Sequence, residues 1–293
     1  MKYSILVNTC DKFEDCWEPF FKLFSTYWKN YNGRIYLNTE HKTFEYPNID
    51  IVSTKVAAKH NIPKTERATW SQCLKWALEA IDDDIILYLQ EDYFLKNEVR
   101  GNVIDTLCET LIKEKDIMCV YLNDRAVVYG ETSPYDNLRY VAKDTWRLSC
   151  QAALWKKQEL LDLIREYESA WEFENLGNKR SIIAGHTYLA IDPEWVKTNT
   201  EIIPYVFTGI IKGKWLNEVV PLFTEHDITI DYSYRGFYEG ELKIKPIRKI
   251  KYYFHLIPKY IRTWKDLMRI RNKQSYLTVF KVLLTRYNRH TTG

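Results

Sequence analysis

The stretch IILYLQEDYFL (85–95) decides the fold. IILYL reads as a short, fully apolar strand, covered on both faces and fit for the centre of a sheet. It ends in Gln90, Glu91 and Asp92. Before it come the helix pattern TWSQCLKWALEAI (69–81), with Trp70, Cys73, Leu74, Ala77 and Leu78 on one face, and then Asp82, Asp83 and Asp84. In open α/β sheets ligands bind at the carboxyl ends of the strands. That rule puts Gln90, Glu91 and Asp92 at the ligand edge. It puts the three aspartates at the opposite edge, as a solvated turn. Two adjacent carboxylates after a buried strand carry an electrostatic cost, which a metal ion or a sugar hydroxyl would offset. The plain alternative is a loop-capping pair with Asp92 as an N-cap.

Outward from this strand the same alternation recurs. YSILVN (3–8) is a buried strand ending in polar Asn8, Thr9 and Asp11. Phe13, Trp17, Phe20, Phe21, Phe24 and Trp28 follow at helical spacing. The Asn32-Gly33 turn leads into a second strand, RIYLN (34–38), and 49–52 reads as a third. Downstream, 103–112 reads as a helix, IMCVYL (117–122) as a strand and 154–164 as an amphipathic helix. This order argues for an α/β domain with a largely parallel sheet. Asn8, Thr9 and Asp11 then share the edge of Gln90. There they either hydrogen-bond a base or ribose, or cap the helix that follows.

A second constellation is WRLSCQAALW (146–155) followed by ESAWEFENLGNKRS (168–181). The latter sets Glu168, Glu172 and Glu174 around Trp171 and Phe173, with Arg180 after a glycine turn. A carboxylate beside aromatic walls is partly desolvated, which raises its pKa and makes it a competent general base. Aromatic rings also stack on sugar faces. The plain reading makes Trp171 and Phe173 core and the glutamates surface.

The chain has 293 residues with 42 Lys and Arg against 39 Asp and Glu. That near-balance hides an asymmetry. Residues 241–293 hold 14 basic and 2 acidic side chains, while residues 1–240 hold 28 and 37. The composition shift near Glu239-Gly240 is the candidate boundary between a body (1–240) and a basic, aromatic, helical C-terminal region (241–293). With 10 Gly and 9 Pro the chain is neither collagen-like nor Pro/Gly-rich and disordered. The start lacks a secretory apolar stretch and reads as cytosolic, and no apolar run is long enough to span a membrane. The six cysteines form no CxxC pair and read as free thiols. The scattered His and Cys make a structural zinc site unexpected.

Taken together, the polar-ended first strand, YLQEDYF after the central strand and WEFE opening a later helix resemble the GT-A class of nucleotide-sugar glycosyltransferases. The resemblance covers residues 1–240 by order of elements. It implies a single Rossmann-type domain with a mostly parallel sheet, and transfer of a sugar from a nucleotide-sugar donor to a saccharide or lipid-linked acceptor. Its implied setting is bacterial surface-polysaccharide synthesis, of capsule or lipopolysaccharide. Glu174, or Glu172, takes the place of the general base of an inverting enzyme. Donor contacts fall on Asn8, Thr9, Asp11, Arg67, Gln90, Glu91, Asp92, Arg180, Lys212 and Lys214. Acceptor contacts fall on Trp171 and Arg235. A divalent cation, Mn²⁺ or Mg²⁺, falls on Asp92 with His226. The sequence departs from the class in having Gln90, Glu91 and Asp92 where a DxD motif stands. Some GT-A enzymes replace the metal with Lys and Arg around the diphosphate. The same departure supports the alternative, a non-catalytic carbohydrate-binding or scaffold protein of a glycan assembly pathway.

Other motifs carry less. GIIKGK (209–214) has the wrong spacing for a phosphate loop, and no GxGxxG occurs. The histidines at 186 and 226 have structural readings beside metal ligation, as YSYRGFY (232–238) has core packing beside an acceptor groove. No nucleic-acid module is recognisable, and an acidic body repels phosphate backbones. The basic tail fits a partner protein or, better, an anionic membrane surface at the inner face of the plasma membrane. There Tyr252, Tyr253, Phe254, Leu256, Ile257, Tyr260, Ile261 and Trp264 would enter the interface.

Overall fold

The computed structural model describes residues 3–240, 246–271 and 274–287, the first ten residues of the second segment as backbone only. Along the chain the strands are β1 (Ser4–Asn8), β2 (Ile35–Asn38), β3 (Ile51–Ser53), β4 (Ile85–Gln90), β5 (Ile117–Tyr121), β6 (Tyr129–Thr132), β7 (Leu138–Val141), β8 (Ala153–Lys156), β9 (Thr187–Ile191), β10 (Ile210–Ile211) and β11 (Lys214–Trp215). The helices are α1 (Trp17–Tyr27), α2 (Val56–Lys59), α3 (Trp70–Glu79), α4 (Gly101–Lys113), α5 (Lys157–Leu163), α6 (Ala170–Glu172), α7 (Asn178–Ala184), α8 (Pro193–Thr198), α9 (Val219–Glu225), α10 (Pro246–Ile270) and α11 (Tyr276–Leu284).

Nine strands form one sheet in the order β3-β2-β1-β4-β8-β5-β9-β7-β6. β3, β2, β1 and β4 run parallel, as do β5 and β9. β8 is antiparallel between β4 and β5, and β7 is antiparallel to β9 and β6. This is the expected fold class, a single Rossmann-type α/β domain with a mostly parallel sheet.

The strand period of two sorts the core. Ile5, Val7, Leu87 and Leu89 face α1 and α4, together with Trp17, Phe20, Phe21, Phe24 and Leu107. Leu6, Ile86 and Tyr88 face α3 and α5, with Leu74, Leu78, Leu160 and Leu163. Each fully buried Phe or Leu contributes about 1.5–3 kcal/mol of transfer free energy. α3 starts where Thr69 and Gln72 close a capping box, which satisfies two backbone donors.

One expected helix is corrected. Residues 154–164 divide into β8 and α5. Leu154 and Trp155 are buried on both faces between β4 and β5, so their backbone groups pair with those neighbours. The helical pattern begins only at Lys157. All six cysteines are free thiols.

α10 and α11 pack on α7 through a separate apolar cluster of Ile182 and Ile183 with Leu267, Val279, Val282 and Leu283. Tyr252, Tyr253 and Phe254, named above for the interface, lie outside the described side chains. Among the described residues no helix is long and apolar enough to cross a membrane.

Candidate active site

β1, β2 and β4 end level with one another: Asn8 is in register with Asn38 on one side and with Gln90 on the other. Parallel pairing therefore lines three amide side chains along one edge. The buried Tyr88 hydroxyl receives hydrogen bonds from Asn8 Nδ2 at 3.1 Å and Gln90 Nε2 at 3.2 Å. Asn38 Nδ2 donates to Asn8 Oδ1 at 2.8 Å, and the Thr54 hydroxyl donates to Asn38 Oδ1 at 3.2 Å. Thr9 accepts from the Trp17 indole at 3.0 Å. Asp11 is held by the exit of β2: its carboxylate accepts from the backbone N–H groups of Glu40, His41 and Lys42 at 2.8, 2.9 and 3.2 Å. Asp11 thus ties two strand exits together at the ligand edge.

Glu91 and Asp92 are both buried, and their environments differ. Asp92 Oδ2 accepts from the Thr208 hydroxyl at 2.5 Å and from Ile210 N–H at 3.1 Å. Burial raises its pKa, and these donors oppose the shift. Burial first, and then the charge of Asp92, push the Glu91 carboxyl well above the ordinary range, against its own backbone N–H and the Arg235 guanidinium. A buried acid in that state gains from a cation or from remaining protonated. Cys10, at the exit of β1, is pushed up to about 11 by burial and by Glu91, with Arg67 acting in the opposite sense. Cys10 therefore lies within electrostatic reach of both Glu91 and exposed Arg67.

Asp92 also positions two lysines. Its carbonyl accepts from Gly209 N–H at 2.9 Å, which fixes the start of the β10–β11 hairpin. Lys212 and Gly213 turn this hairpin with φ of 52° and 80°, the paired positive angles of a type I′ turn. Lys212 and Lys214 are exposed on it. A cavity of about 520 Å³ opens beside the site, walled by Asp11, Asp15 and Tyr234 among others.

Glu174 belongs to this edge. It sits in a π-helical turn, Phe173–Gly177, and its Oε1 accepts from Cys150 N–H at 2.8 Å and lies 3.5 Å from the Ser149 hydroxyl. Ser149 and Cys150 lead into β8, whose Ala153 pairs with Tyr88 of β4. The Cys150 carbonyl also accepts from the Tyr93 hydroxyl at 2.8 Å. A π-bulge at this point is a feature that often marks functional sites. Glu174 thus stands on the sheet edge at which β1 and β4 end, the edge of Asn8, Gln90, Glu91 and Asp92.

Five other sequence candidates lie elsewhere or are engaged. Arg180 is fully buried, with Nη1 and Nη2 on Glu168 at 2.8 and 2.5 Å and Nε on the Leu163 carbonyl at 2.8 Å. That geometry leaves it no face toward a diphosphate. Glu172 accepts from Lys259 of α10 at 2.6 and 2.7 Å and closes a capping box with Ser169. Burial raises its pKa, but Lys259 and Ser169 outweigh that, so it is lowered overall, the wrong direction for a base. Trp171 is 73% exposed on the same short helix. Arg235 grips Asp15 with two nitrogens, reaches the Lys12 carbonyl at 2.9 Å and stacks over Phe13 at 4.4 Å. It pins YSYRGFY to the segment after β1. His226 meets the Tyr27 hydroxyl at 2.7 Å. Tyr27 ends α1, which runs back from the carboxyl edge, so His226 and Asp92 are at opposite edges.

Among the described residues no group of three or more His, Cys, Asp or Glu is arranged to hold a metal ion. Mg²⁺-type sites need only one or two carboxylates plus substrate phosphates. Glu91, with its raised pKa and with Asp92 adjacent, fits that sparse donor set. Sequence reasoning missed Tyr88, Asn38 and Thr54, which hold Asn8 and Gln90. Only Asn38 had a signal, as the polar end of a strand.

No family model and no curated protein sequence matches the chain. Solved structures similar to it include one described only as a mycobacterial protein, 12% identical, with a TM-score of 0.42 over 65% of each chain. Another is glucosyl-3-phosphoglycerate synthase from Mycobacterium tuberculosis with Mn²⁺, uridine diphosphate and glucosyl-3-phosphoglycerate, 13% identical, with a TM-score of 0.38 over 61% of this chain and 64% of that one. A third is the bifunctional IspDF from Campylobacter jejuni, 16% identical, with a TM-score of 0.37 over 71% of this chain and 52% of that one. The matched part is under two thirds of each of these solved chains.

Proposed function

We propose that the protein is an inverting glycosyltransferase that moves a sugar from a nucleotide-sugar donor to a saccharide or lipid-linked acceptor in the synthesis of a bacterial surface polysaccharide. One observation carries the reading. The ends of β1 and β4 and the entry to β8 collect amide donors, a carboxyl of raised pKa and the Glu174 carboxylate at one sheet edge.

In this reading Asn8, Asn38 and Gln90 bind the base or ribose, since buried amides fixed through Tyr88 present donors and acceptors at little further entropic cost. Arg67, Lys212 and Lys214 face the diphosphate and offset the charge that develops on it as it leaves. Glu174 receives the proton of the acceptor hydroxyl, and that oxygen attacks the anomeric carbon as the bond to the nucleoside diphosphate breaks. The Cys150 N–H holds Glu174 in place for this step. Glu91, with Asp92, would hold Mn²⁺ or Mg²⁺, which when bound supplies charge neutralisation at the diphosphate. The acidic cavity beside Asp11 and Asp15 suits sugar hydroxyls rather than phosphates. The C-terminal helices place the enzyme on an anionic membrane at the inner face of the plasma membrane, where a lipid-linked acceptor is available.

The test is incubation with a panel of nucleotide sugars, with and without Mn²⁺, scoring donor turnover. Glu174→Gln keeps an acceptor for Cys150 N–H but loses the base, so turnover falls by about 10²–10⁴-fold. Failure of every donor to bind or turn over would overturn the enzyme reading and leave the non-catalytic carbohydrate-binding alternative.

A further inference from the structure

Soluble proteins scatter their exposed apolar side chains, and a contiguous group of them marks an interaction surface. Among the described residues nine large apolar side chains are exposed, and six of them stand on α10 and α11. These are Ile257, Ile261, Tyr276, Leu277, Phe280 and Leu284, from 50% to 78% exposed. α11 is the sharper case. Its inner face, Val279, Val282 and Leu283, is buried against α7 and α10, and Tyr276, Leu277, Phe280 and Leu284 stand exposed on the rest of it beside Thr278 and Lys281. A helix with apolar side chains on two sides gains when its second side also leaves water. With 9 residues α11 is too short to cross a bilayer, which takes about 20.

Charge identifies the occupant. Residues 256–287 carry eight Lys or Arg and one Asp. Asp266 is paired with Arg165 of the body at 2.8 Å, while Arg262, Lys265 and Arg269 are exposed on α10. A second copy of the chain would bring this basic face against itself across a two-fold axis, which sets like charges together. An anionic lipid surface takes both the apolar side chains and the cations.

We infer that the outer face of α10 and α11 is a docking surface for an anionic lipid bilayer. The six apolar side chains enter the boundary between headgroups and acyl chains, and Arg262, Lys265 and Arg269 meet the headgroups. The inference deepens the proposed function and rests on its membrane-side location, not on the transfer chemistry. The face is coupled to the candidate active site in two ways. Lys259, between Ile257 and Ile261, is fastened to Glu172. The groove of about 760 Å³ between the two helices includes Asn175 in its wall, next to Glu174. The docked face and the proposed base therefore share one helical segment.

The test is flotation of the full chain with vesicles of phosphatidylcholine alone and with phosphatidylglycerol added. Binding is expected only to the anionic vesicles, weakening as salt rises. Lys265→Glu with Arg269→Glu should lower partitioning by about fivefold or more per basic residue lost. Leu277→Glu with Phe280→Glu should abolish it. All four positions are exposed, so circular dichroism and unfolding midpoints should stay at wild-type values. Wild-type protein that stays soluble with anionic vesicles at low salt overturns the inference, as does binding that the apolar variants leave intact. Concentration-dependent dimerisation that these variants abolish, without vesicle binding, would assign the face to a second copy. Donor turnover with a soluble acceptor is measured separately, so loss of docking and loss of chemistry are distinguishable.

Discussion

Replacing Arg180 with Leu separates a structural role from a donor-binding one. Arg180 and Glu168 are both wholly buried, joined by two hydrogen bonds at 2.8 and 2.5 Å, and Arg180 Nε adds a third to the Leu163 carbonyl. Removing one partner leaves a buried carboxylate without its counter-charge, which costs about 3–5 kcal/mol. Set against a total stability of about 5–15 kcal/mol, the loss is severe. It corresponds to a fall of roughly 1 M or more in the urea midpoint if m is about 3 kcal/mol/M. The pH dependence has a definite sign. Burial already raises the Glu168 pKa, with Arg180 opposing, so the variant's carboxyl rises further. A carboxyl whose folded pKa exceeds its unfolded value favours the folded state most below the unfolded value, and that stability is lost as pH rises through the folded value. The deficit of Arg180→Leu relative to wild type therefore grows from acid toward neutral pH, and Glu168→Gln added to it recovers part of the loss. Urea unfolding followed by circular dichroism across that range measures both effects. An Arg180→Leu protein as stable as wild type within 1 kcal/mol, but with a raised KM for the donor, would refute the burial argument and return Arg180 to the diphosphate.

Two further outcomes are expected. Burial lowers the Lys179 pKa to about 8, where its ammonium donates to the Val282 and Thr285 carbonyls at 3.1 and 2.6 Å at the end of α11. Between that value and the unfolded 10.5 the unfolded chain holds more protons, so stability rises with pH across the window. Lys179→Met removes that rise, and unfolding measured at several pH values within the window reads it directly. Gly209→Ala would place a Cβ 2.3 and 2.7 Å from Phe94 ring carbons and 3.1 Å from the Asp92 carbonyl. The crowding should destabilise the protein by about 1–3 kcal/mol and weaken donor binding by shifting the hairpin of Lys212 and Lys214. An unchanged melting temperature would contradict the tight approach of Phe94.

The central sheet was legible because local pattern and tertiary demand agree there. IILYL is apolar on both faces and ends in polar residues, and β4 is covered on both sides. β8 was misread because AALWKKQELLDLI satisfies a helix pattern as well as a strand pattern, and only pairing with β4 and β5 selects the strand for its first residues. β6 and β7 lie at the sheet's outer end, half-buried and without a strong alternation. At the site, residue types and strand edge were legible, and partners were not. Glu172 meets Lys259 87 residues away, Asp92 meets Thr208 116 residues away, and Arg235 meets Asp15 220 residues away. A sequence shows that a carboxylate exists near an aromatic, and the fold decides whether a cation is already facing it.

That decision sorts the carboxylates. Glu168, Glu172 and Glu174 lie within seven residues, and helical geometry sends them to three different neighbours. Glu168 meets a guanidinium and Glu172 an ammonium, and in both pairs the charge is used to hold elements together. Glu174 meets a backbone N–H on the strand entry beside Tyr88, a contact that orients its carboxylate. The same division separates Asp92, whose Oδ2 anchors the lysine hairpin, from Glu91, whose carboxyl is left with a raised pKa. In each motif one acid builds the frame: Glu172 through Lys259, and Asp92 through Thr208 and Ile210. A buried carboxyl of raised pKa at a sheet edge, as Glu91 is, gains from a proton or a cation. With Asp92 and Glu172 committed to the frame, the proposed chemistry is assigned to Glu91 and Glu174.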